Sequence, residues 1–372
     1  MVITTRPGVA DQQIDALRER LERCGMRTLA VRRGSRVVVG CLDAPGAAED
    51  SGDWQQDVNI ESIMAWTRPY RLASRDASPG GAHDTTPIRI GSARDAVVGG
   101  NGIVVIAGPC SVEGLEQLRA TAHGVRNAGA TALRGGALKP RTSPYAFQGL
   151  GAEGLELLSL VGQETGLPVV TEVLDTRQVD LVAEHADVLQ VGARNMQNYA
   201  LLAELGRIGR PVLLKRGFAA TITELLFAAE HIMTRGNHDV ILCERGVRTF
   251  ESATRFTLDI SAIPVLKRET HLPVIVDPSH AAGDAELVPA LAWAAIAAGA
   301  DGLIVEVHAR PEQSRSDREQ QLSLPAFSAM MRGATTFAAA AGRRLARGAP
   351  AIVEPPLYVS RQAALRRRPV AS

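Results

Sequence analysis

The chain has 372 residues, of which 45% are hydrophobic, with 41 basic and 40 acidic side chains. That is material for one large core and a small one, and a net charge of +1 excludes a globally basic nucleic-acid surface. Cys24, Cys41, Cys110 and Cys243 are scattered without paired CxxC spacing, which excludes a disulfide framework, and no apolar run reaches bilayer-spanning length. The expectation is a cytoplasmic protein with neither a membrane nor a nucleic-acid partner.

In chain order, "MVITTR" reads as a strand and "ADQQIDALRERLERC" as a helix with Ile14, Leu17 and Leu21 on one face. "MRTLAV" and "RVVVGCL" read as two further strands. The acidic, turn-rich "DAPGAAEDSGDWQQD" predicts a loop, "NIESIMAW" a short helix and "RPYRLAS" a last strand, giving a small α+β sandwich over residues 1–75. "SRDASPGGAHDTTP" marks a linker, set at 76–90.

From residue 91 to 345 one pattern repeats. "IVVIAG", "TALRGG", "PVVTEV", "DVLQVG", "PVLLKRG", "DVILCERG", "PVIVDP" and "DGLIVEV" are short apolar runs, each followed by a helix-length segment. Runs apolar on both faces suit parallel strands covered by helices, and eight such units predict a closed (β/α)8 TIM barrel. The alternative, an open doubly wound sheet, lacks a GxGxxG after its first strand. Residues 346–372 form a C-terminal extension with a basic "RRR".

A barrel places its chemistry at the C-terminal strand ends. There the sequence carries Cys110 after strand 1, then Arg134 with Lys139 and Arg141, Glu172, Arg194, Lys215, Glu244 with Arg245, Asp277 with His280, and Glu306 with His308 and the later Asp317. Arg134, Lys139, Arg141, Arg194, Lys215 and Arg245 converging on one mouth imply a strongly anionic substrate, because like charges so placed need anions to compensate them. Lys215 at a strand end also suits a Schiff base. Cys110, His280, Glu306 and Asp317 offer the mixed soft and hard donors of a divalent transition metal; a structural thiol, or a nucleophilic Cys110 activated by His280, stands beside that reading.

"AGPCSVE", "RGGALKPRTSPYAFQGLG", "QVGARNMQN", "ILCERG", "VDPSHAAG" and "EVHARP…SDREQQ" resemble 3-deoxy-D-arabino-heptulosonate 7-phosphate synthases of the microbial type I branch, over nearly all of residues 88–345. The resemblance implies a metal-dependent condensation of phosphoenolpyruvate with D-erythrose 4-phosphate. It implies Cys110, His280, Glu306 and Asp317 as ligands of one divalent ion, with Mn2+ expected and Fe2+, Co2+ or Zn2+ as alternatives. It places Arg134, Lys139, Arg194, Lys215 and Arg245 around phosphoenolpyruvate, Arg141 and Thr142 at the erythrose phosphate, and Asp317 at the sugar as well. Lys139, Cys110 and His280 are the implied catalytic set, with Lys139 protonating the aldehyde oxygen.

"KPRTS" matches the form that takes the four-carbon sugar, against the related 3-deoxy-octulosonate 8-phosphate synthases. The N-terminal pattern resembles the ferredoxin-like regulatory domain of some members, which implies an aromatic amino-acid inhibitor. A dimer or tetramer, and a chorismate mutase partner, are further implications. A non-catalytic, amino-acid-sensing barrel is the rival reading. "EVHARP" and "SDREQQ" depart from the more frequent "EVHPEP" and "SDGPQSL", with altered packing expected around Asp317.

Overall fold

The computed structural model describes residues 1–33, 35–42, 54–78, 84–91, 96–140 and 143–346. The small N-terminal unit consists of β1 (Val2–Thr5), α1 (Asp11–Arg23), β2 (Thr28–Arg33), β3 (Arg36–Cys41) and β4 (Ile60–Met64). Its antiparallel sheet has the order β2-β3-β1-β4. Ile14, Leu17 and Leu21 of α1 pack onto Ile3, Val37 and Val39 of the sheet, as the helical spacing requires.

Two expectations are corrected here. "NIESIMAW" contains the strand β4 instead of a helix: Ile60 and Ile63 sit three apart, as on a helix face, but the free edge of β1 pairs with the run, through a register shift at Thr4/Thr5. "RPYRLAS" is an irregular strap laid on the barrel, not a strand of the small sheet. The Glu230 carboxylate accepts three of its backbone N–H groups, those of Arg71 (3.2 Å), Leu72 (2.8 Å) and Ala73 (3.0 Å). Arg68 and the Tyr70 hydroxyl both donate to Glu269, at 2.7 and 2.9 Å. The Glu230 bonds satisfy backbone N–H groups that a sheet partner would otherwise have served.

A hairpin of β5 (Ile88–Arg89) and β6 (Val97–Val98) precedes the barrel. The barrel proper runs β7 (Gly102–Gly108), α2 (Leu115–Asn127), β8 (Ala132–Arg134), α3 (Ala152–Thr165), β9 (Val169–Glu172), α4 (Val179–His185), β10 (Val188–Val191), α5 (Tyr199–Leu205) and β11 (Val212–Lys215). It continues with α6 (Ile222–Met233), β12 (Val240–Glu244), α7 (Ala262–Glu269), β13 (Val274–Val276), α8 (Pro278–Ala282), α9 (Val288–Ala297), β14 (Gly302–Glu306), α10 (Leu324–Ala340) and β15 (Arg344–Leu345). Strands β7 to β14 are parallel neighbours in sequence order, and β14 pairs with β7 from Gly302↔Val104 to Glu306↔Gly108 to close the ring. All eight runs read as barrel strands are found there.

The two faces of each strand separate cleanly. Val104, Ile106, Ala132, Val170, Val188, Leu213, Ile241, Cys243, Ile275 and Ile304 fill the barrel interior, whereas the residues alternating with them, such as Val105, Leu133, Leu189 and Leu214, meet the helices. The floor is plugged by Ile88, Ile90, Ala96 and Val98 of the hairpin segment, with Ala346 beside them. The stretch 76–90 therefore ends inside the barrel floor: Ile88 and Ile90 are fully buried. No helix among the described residues is long and apolar enough to cross a membrane.

The plug generates a stability prediction. Ile88→Ala should destabilise the protein by about 2–5 kcal/mol, because the rigid barrel wall cannot collapse into the space left. Urea unfolding checks this, and a change below about 0.5 kcal/mol would mean that the hairpin only lies against the floor.

Candidate active site

The interior stripes do not end where the hydrocarbon ends. Two residues beyond the last apolar inward position, the same face carries Arg134 after Ala132, Glu172 after Val170, Gln190 after Val188 and Lys215 after Leu213. It likewise carries Arg245 after Cys243, Asp277 after Ile275 and Glu306 after Ile304. On β7 the next inward position is Gly108, followed by Cys110. A period of two thus delivers one polar group per strand to a common mouth. Gly108 is required by close approach, since a Cβ there would stand 2.1 Å from the Arg134 carbonyl oxygen.

Three donors gather at the Cys110 side: the Cys110 thiol, Glu306 and Asp317 have ligand atoms within 4.8 Å of one another. Cys110 Sγ lies 3.3 Å from Asp317 Oδ2. His280 extends the group, with Nε2 3.5 Å from Glu306 Oε1 and Nδ1 2.7 Å from Asp277 Oδ2. Asp277 also pairs with the Lys215 ammonium. Lys139 Nζ donates to the Cys110 carbonyl at 2.9 Å and stands 3.1 Å from its sulfur. Arg134 Nη1 donates to Glu306 Oε1 at 2.6 Å, while Arg134 Nε is buried with no hydrogen-bond partner among the described residues.

These contacts set the charge states. Burial, reinforced by Glu306 and opposed by Lys139, pushes the Cys110 thiol up to about 12. Burial also opposes ionisation of Glu306, but His280, Arg134 and Lys139 outweigh it and hold that carboxyl at about 2. Against the same opposition from burial, His280 and Lys215 hold Asp277 well below the usual carboxylate range. Burial lowers His280 against the opposing pull of Asp277, so its imidazole is neutral near pH 7 and carries charge only in the acid range where those carboxyls would titrate. An ionised Asp277 accepts from Nδ1–H, which leaves the Nε2 lone pair facing Glu306 and free to bind a cation.

A thiol, two carboxylates and an oriented imidazole fit a divalent transition ion, and the positive charge of such an ion would favour the thiolate that burial disfavours.

Beyond this group the mouth is cationic. Arg134, Lys139, Arg194, Lys215, Arg245 and Arg255 line one cavity with Glu172, Gln190, His280 and Asp317. Arg245 sits over the rings of Phe256 and Phe218, at 4.1 and 5.0 Å, and Arg194 over Phe218 at 5.4 Å. Burial lowers Arg245, opposed by Asp277. Arg141 and Thr142 lie outside the described residues.

Residues 85–338 match the DAHP synthetase I family. The chain belongs to that family.

Among relatives, a phospho-2-dehydro-3-deoxyheptonate aldolase of Thermotoga maritima is 44% identical over 343 residues, covering 92% of this chain and 99% of its own length. A 2-dehydro-3-deoxyphosphooctonate aldolase of Koribacter versatilis is 31% identical over 65% of this chain and 92% of its own. The crystal structure of the Thermotoga maritima DAHP synthase superposes with a TM-score of 0.72 at 43% identity, covering 92% of this chain and 98% of that one. A truncated form of the Thermotoga maritima enzyme covers 74% of this chain and 98% of its own, with a TM-score of 0.67 at 47% identity.

Several polar strand-end residues point elsewhere. Glu244 accepts from the Gly246 N–H (2.6 Å) and from Arg216 (2.8 Å), on the opposite face from Cys243 and Arg245. His308 accepts the Arg310 N–H through Nδ1 and faces Glu113 at 3.8 Å, outside the donor group. Sequence reasoning missed Arg255, Gln190, Phe218 and Phe256. Gln190 was available from the inward parity of β10, whereas Arg255 and the two phenylalanines lie in loops with no periodicity to mark them.

The raised thiol predicts low reactivity. Iodoacetamide at pH 7.5 should label exposed Cys24 at least about tenfold faster than buried Cys110 in the metal-free protein, because only thiolate reacts. Peptide mass spectrometry over time reads this out. Equal rates would show that Cys110 is ionised or accessible.

Proposed function

We propose that this mouth condenses phosphoenolpyruvate with D-erythrose 4-phosphate and water, giving the seven-carbon keto acid phosphate and inorganic phosphate, as a 3-deoxy-D-arabino-heptulosonate 7-phosphate synthase. The observation that carries the site assignment is the conjunction at one strand-end cavity of the Cys110, Glu306 and Asp317 donors with Lys139 and the arginines. Near-full-length similarity to the Thermotoga maritima aldolase favours the heptulosonate reaction over the octulosonate one.

Cys110, His280, Glu306 and Asp317 are proposed to hold one divalent ion, manganese being the expected one. When bound, such an ion supplies Lewis-acid stabilisation for charge developing on a carbonyl oxygen. Arg134, Lys139, Lys215, Arg194 and Arg245 bind the carboxylate and phosphate of phosphoenolpyruvate, and so orient its C3 towards the aldehyde carbon. Arg194 and Arg245 rest on aromatic faces, so their charge is available to the ligand. Lys139, beside the Cys110 sulfur, carries the proton that the new hydroxyl oxygen requires as the carbon–carbon bond forms.

Water adds at C2, and the bond from C2 to the phosphate oxygen then breaks. Glu172 lines the cavity with no ion pair among the described residues, and is proposed to take the proton of that water. Lys215 is paired with Asp277, which favours its binding role over a Schiff base. Arg141 and Thr142 are proposed for the erythrose phosphate end.

The proposed organisation is a small unit over 1–75, a linker to 90, the barrel over 91–345 and a C-terminal extension over 346–372. The order β2-β3-β1-β4 with α1 between β1 and β2 supports a ferredoxin-like regulatory domain, with phenylalanine or tyrosine as inhibitor. A cytoplasmic dimer or tetramer, able to pair with a chorismate mutase, completes the proposal.

Phosphate release should require erythrose 4-phosphate, disappear on chelation and return with manganese, while arabinose 5-phosphate gives none. Activity with the five-carbon sugar alone would move the assignment to the octulosonate reaction. Cys110→Ala should lower turnover by about 100-fold or more, beyond the 10–100-fold typical of residues behind metal ligands. Lys139→Ala should lower kcat by about 10²–10⁴-fold with little change in Tm; a collapsed Tm would make the lysine structural. Millimolar phenylalanine or tyrosine should inhibit the full chain, and indifference to both would count against the regulatory reading.

A further inference from the structure

Two adjacent buried glutamines follow β14 in the loop that carries Asp317. Gln320 and Gln321 are each 2% exposed, and their carboxamides turn in opposite directions. Gln320 Nε2 donates to Glu306 Oε2 at 2.7 Å, and its Oε1 accepts from Arg255 Nη1 at 2.7 Å. That arginine nitrogen is also 3.4 Å from Asp317 Oδ1. Gln321 Oε1 accepts the Cys110 backbone N–H at 3.0 Å, while its Nε2 donates to Ser314 Oγ at 2.7 Å and to the Ser316 carbonyl at 2.8 Å.

The geometry has two consequences. Glu306 Oε1 is engaged by Arg134 and Oε2 by Gln320, so the carboxylate cannot turn about its own axis without losing a buried hydrogen bond. Asp317 stands at φ 44°, the one positive φ outside glycine among the described residues, and only a short 3-10 turn (Arg318–Gln320) follows it. A conformation of that kind persists where its surroundings determine it. Gln321 ties the neighbouring Ser316 to Cys110, and the 2.7 Å contact between Ser111 and Ser316 hydroxyls braces the same gap.

We infer that Gln320 and Gln321 are positioning residues for the donor group: Gln320 fixes the plane of Glu306, and Gln321 sets the spacing of Cys110 from Asp317. Being neutral amides, they do so without changing the charge the donors present. The inference rests on reading Cys110, Glu306 and Asp317 as ligands of a divalent ion.

The test uses the full chain, with cobalt(II) as the probe. Chelator competition gives the affinity, the near-ultraviolet thiolate-to-cobalt absorption reports Cys110, and the Tm of the metal-free protein reports folding. Gln321→Ala should weaken cobalt binding about 10- to 100-fold and diminish or shift the thiolate band. Gln320→Ala should weaken binding over the same range while keeping the band, because it touches Glu306 instead of Cys110. Gln320→Leu retains the side-chain volume and should reproduce that loss with a nearly unchanged metal-free Tm, so the decision stands even where an alanine variant folds poorly. Wild-type affinity and band in all three variants, with both lost in Cys110→Ala, would overturn the positioning role and leave the ligand reading intact. Wild-type cobalt affinity in Cys110→Ala as well would overturn the ligand reading, and this inference with it.

Discussion

The structure depends on charge neutralised deep inside a closed barrel. Arg134 with Glu306, and Lys215 with Asp277, are ion pairs whose side chains are almost wholly buried. Burying either partner alone is costly, and removing one from such a pair typically costs about 3–5 kcal/mol because the survivor is left uncompensated. The pairs therefore hold one another in place. They also divide the cations of the mouth into two kinds. Arg134 and Lys215 are matched by carboxylates, whereas Arg194 and Arg245 lean on the rings of Phe218 and Phe256, which support a guanidinium without cancelling its charge. The second kind sets the net field of the mouth, and the first sets its geometry.

Backbone periodicity explains why so much of this was legible in the sequence. A parallel strand covered by helices is apolar on both faces, so each of the eight runs announced itself, and its first polar residue on the inward parity marked the mouth. The same parity separates Glu244 from Arg245 and sends Arg216 outward to Glu244 and Asp259. Where a residue lies on a strand, its neighbour two positions back tells which way it faces.

Loops carry no such rule. Arg255, Gln320 and Gln321 reach the site from segments whose course is set by hydrogen bonds distant in sequence, so nothing local distinguishes them from surface polar residues. The small domain shows a related limit. "NIESIMAW" has the spacing of a helix face, and only the open edge of β1, contributed some sixty residues earlier, makes it a strand. "RPYRLAS" has strand composition, but Glu230 and Glu269 on the barrel helices capture its polar groups first. In both cases tertiary partners decided between local structures that the sequence alone left close in energy.

Besides its bonds to Glu230 and Glu269, the strap touches the segment that leads into β13. Ser74 bridges to Thr270, and the Leu72 carbonyl meets His271 Nε2 at 2.8 Å, just before β13 begins at Val274. β13 is three residues long, and Asp277 follows it, holding Lys215 and His280. Proximity of this kind does not by itself couple the two ends. β13 is hydrogen-bonded to β12 and β14 on both sides, so it cannot slide without breaking two ladders.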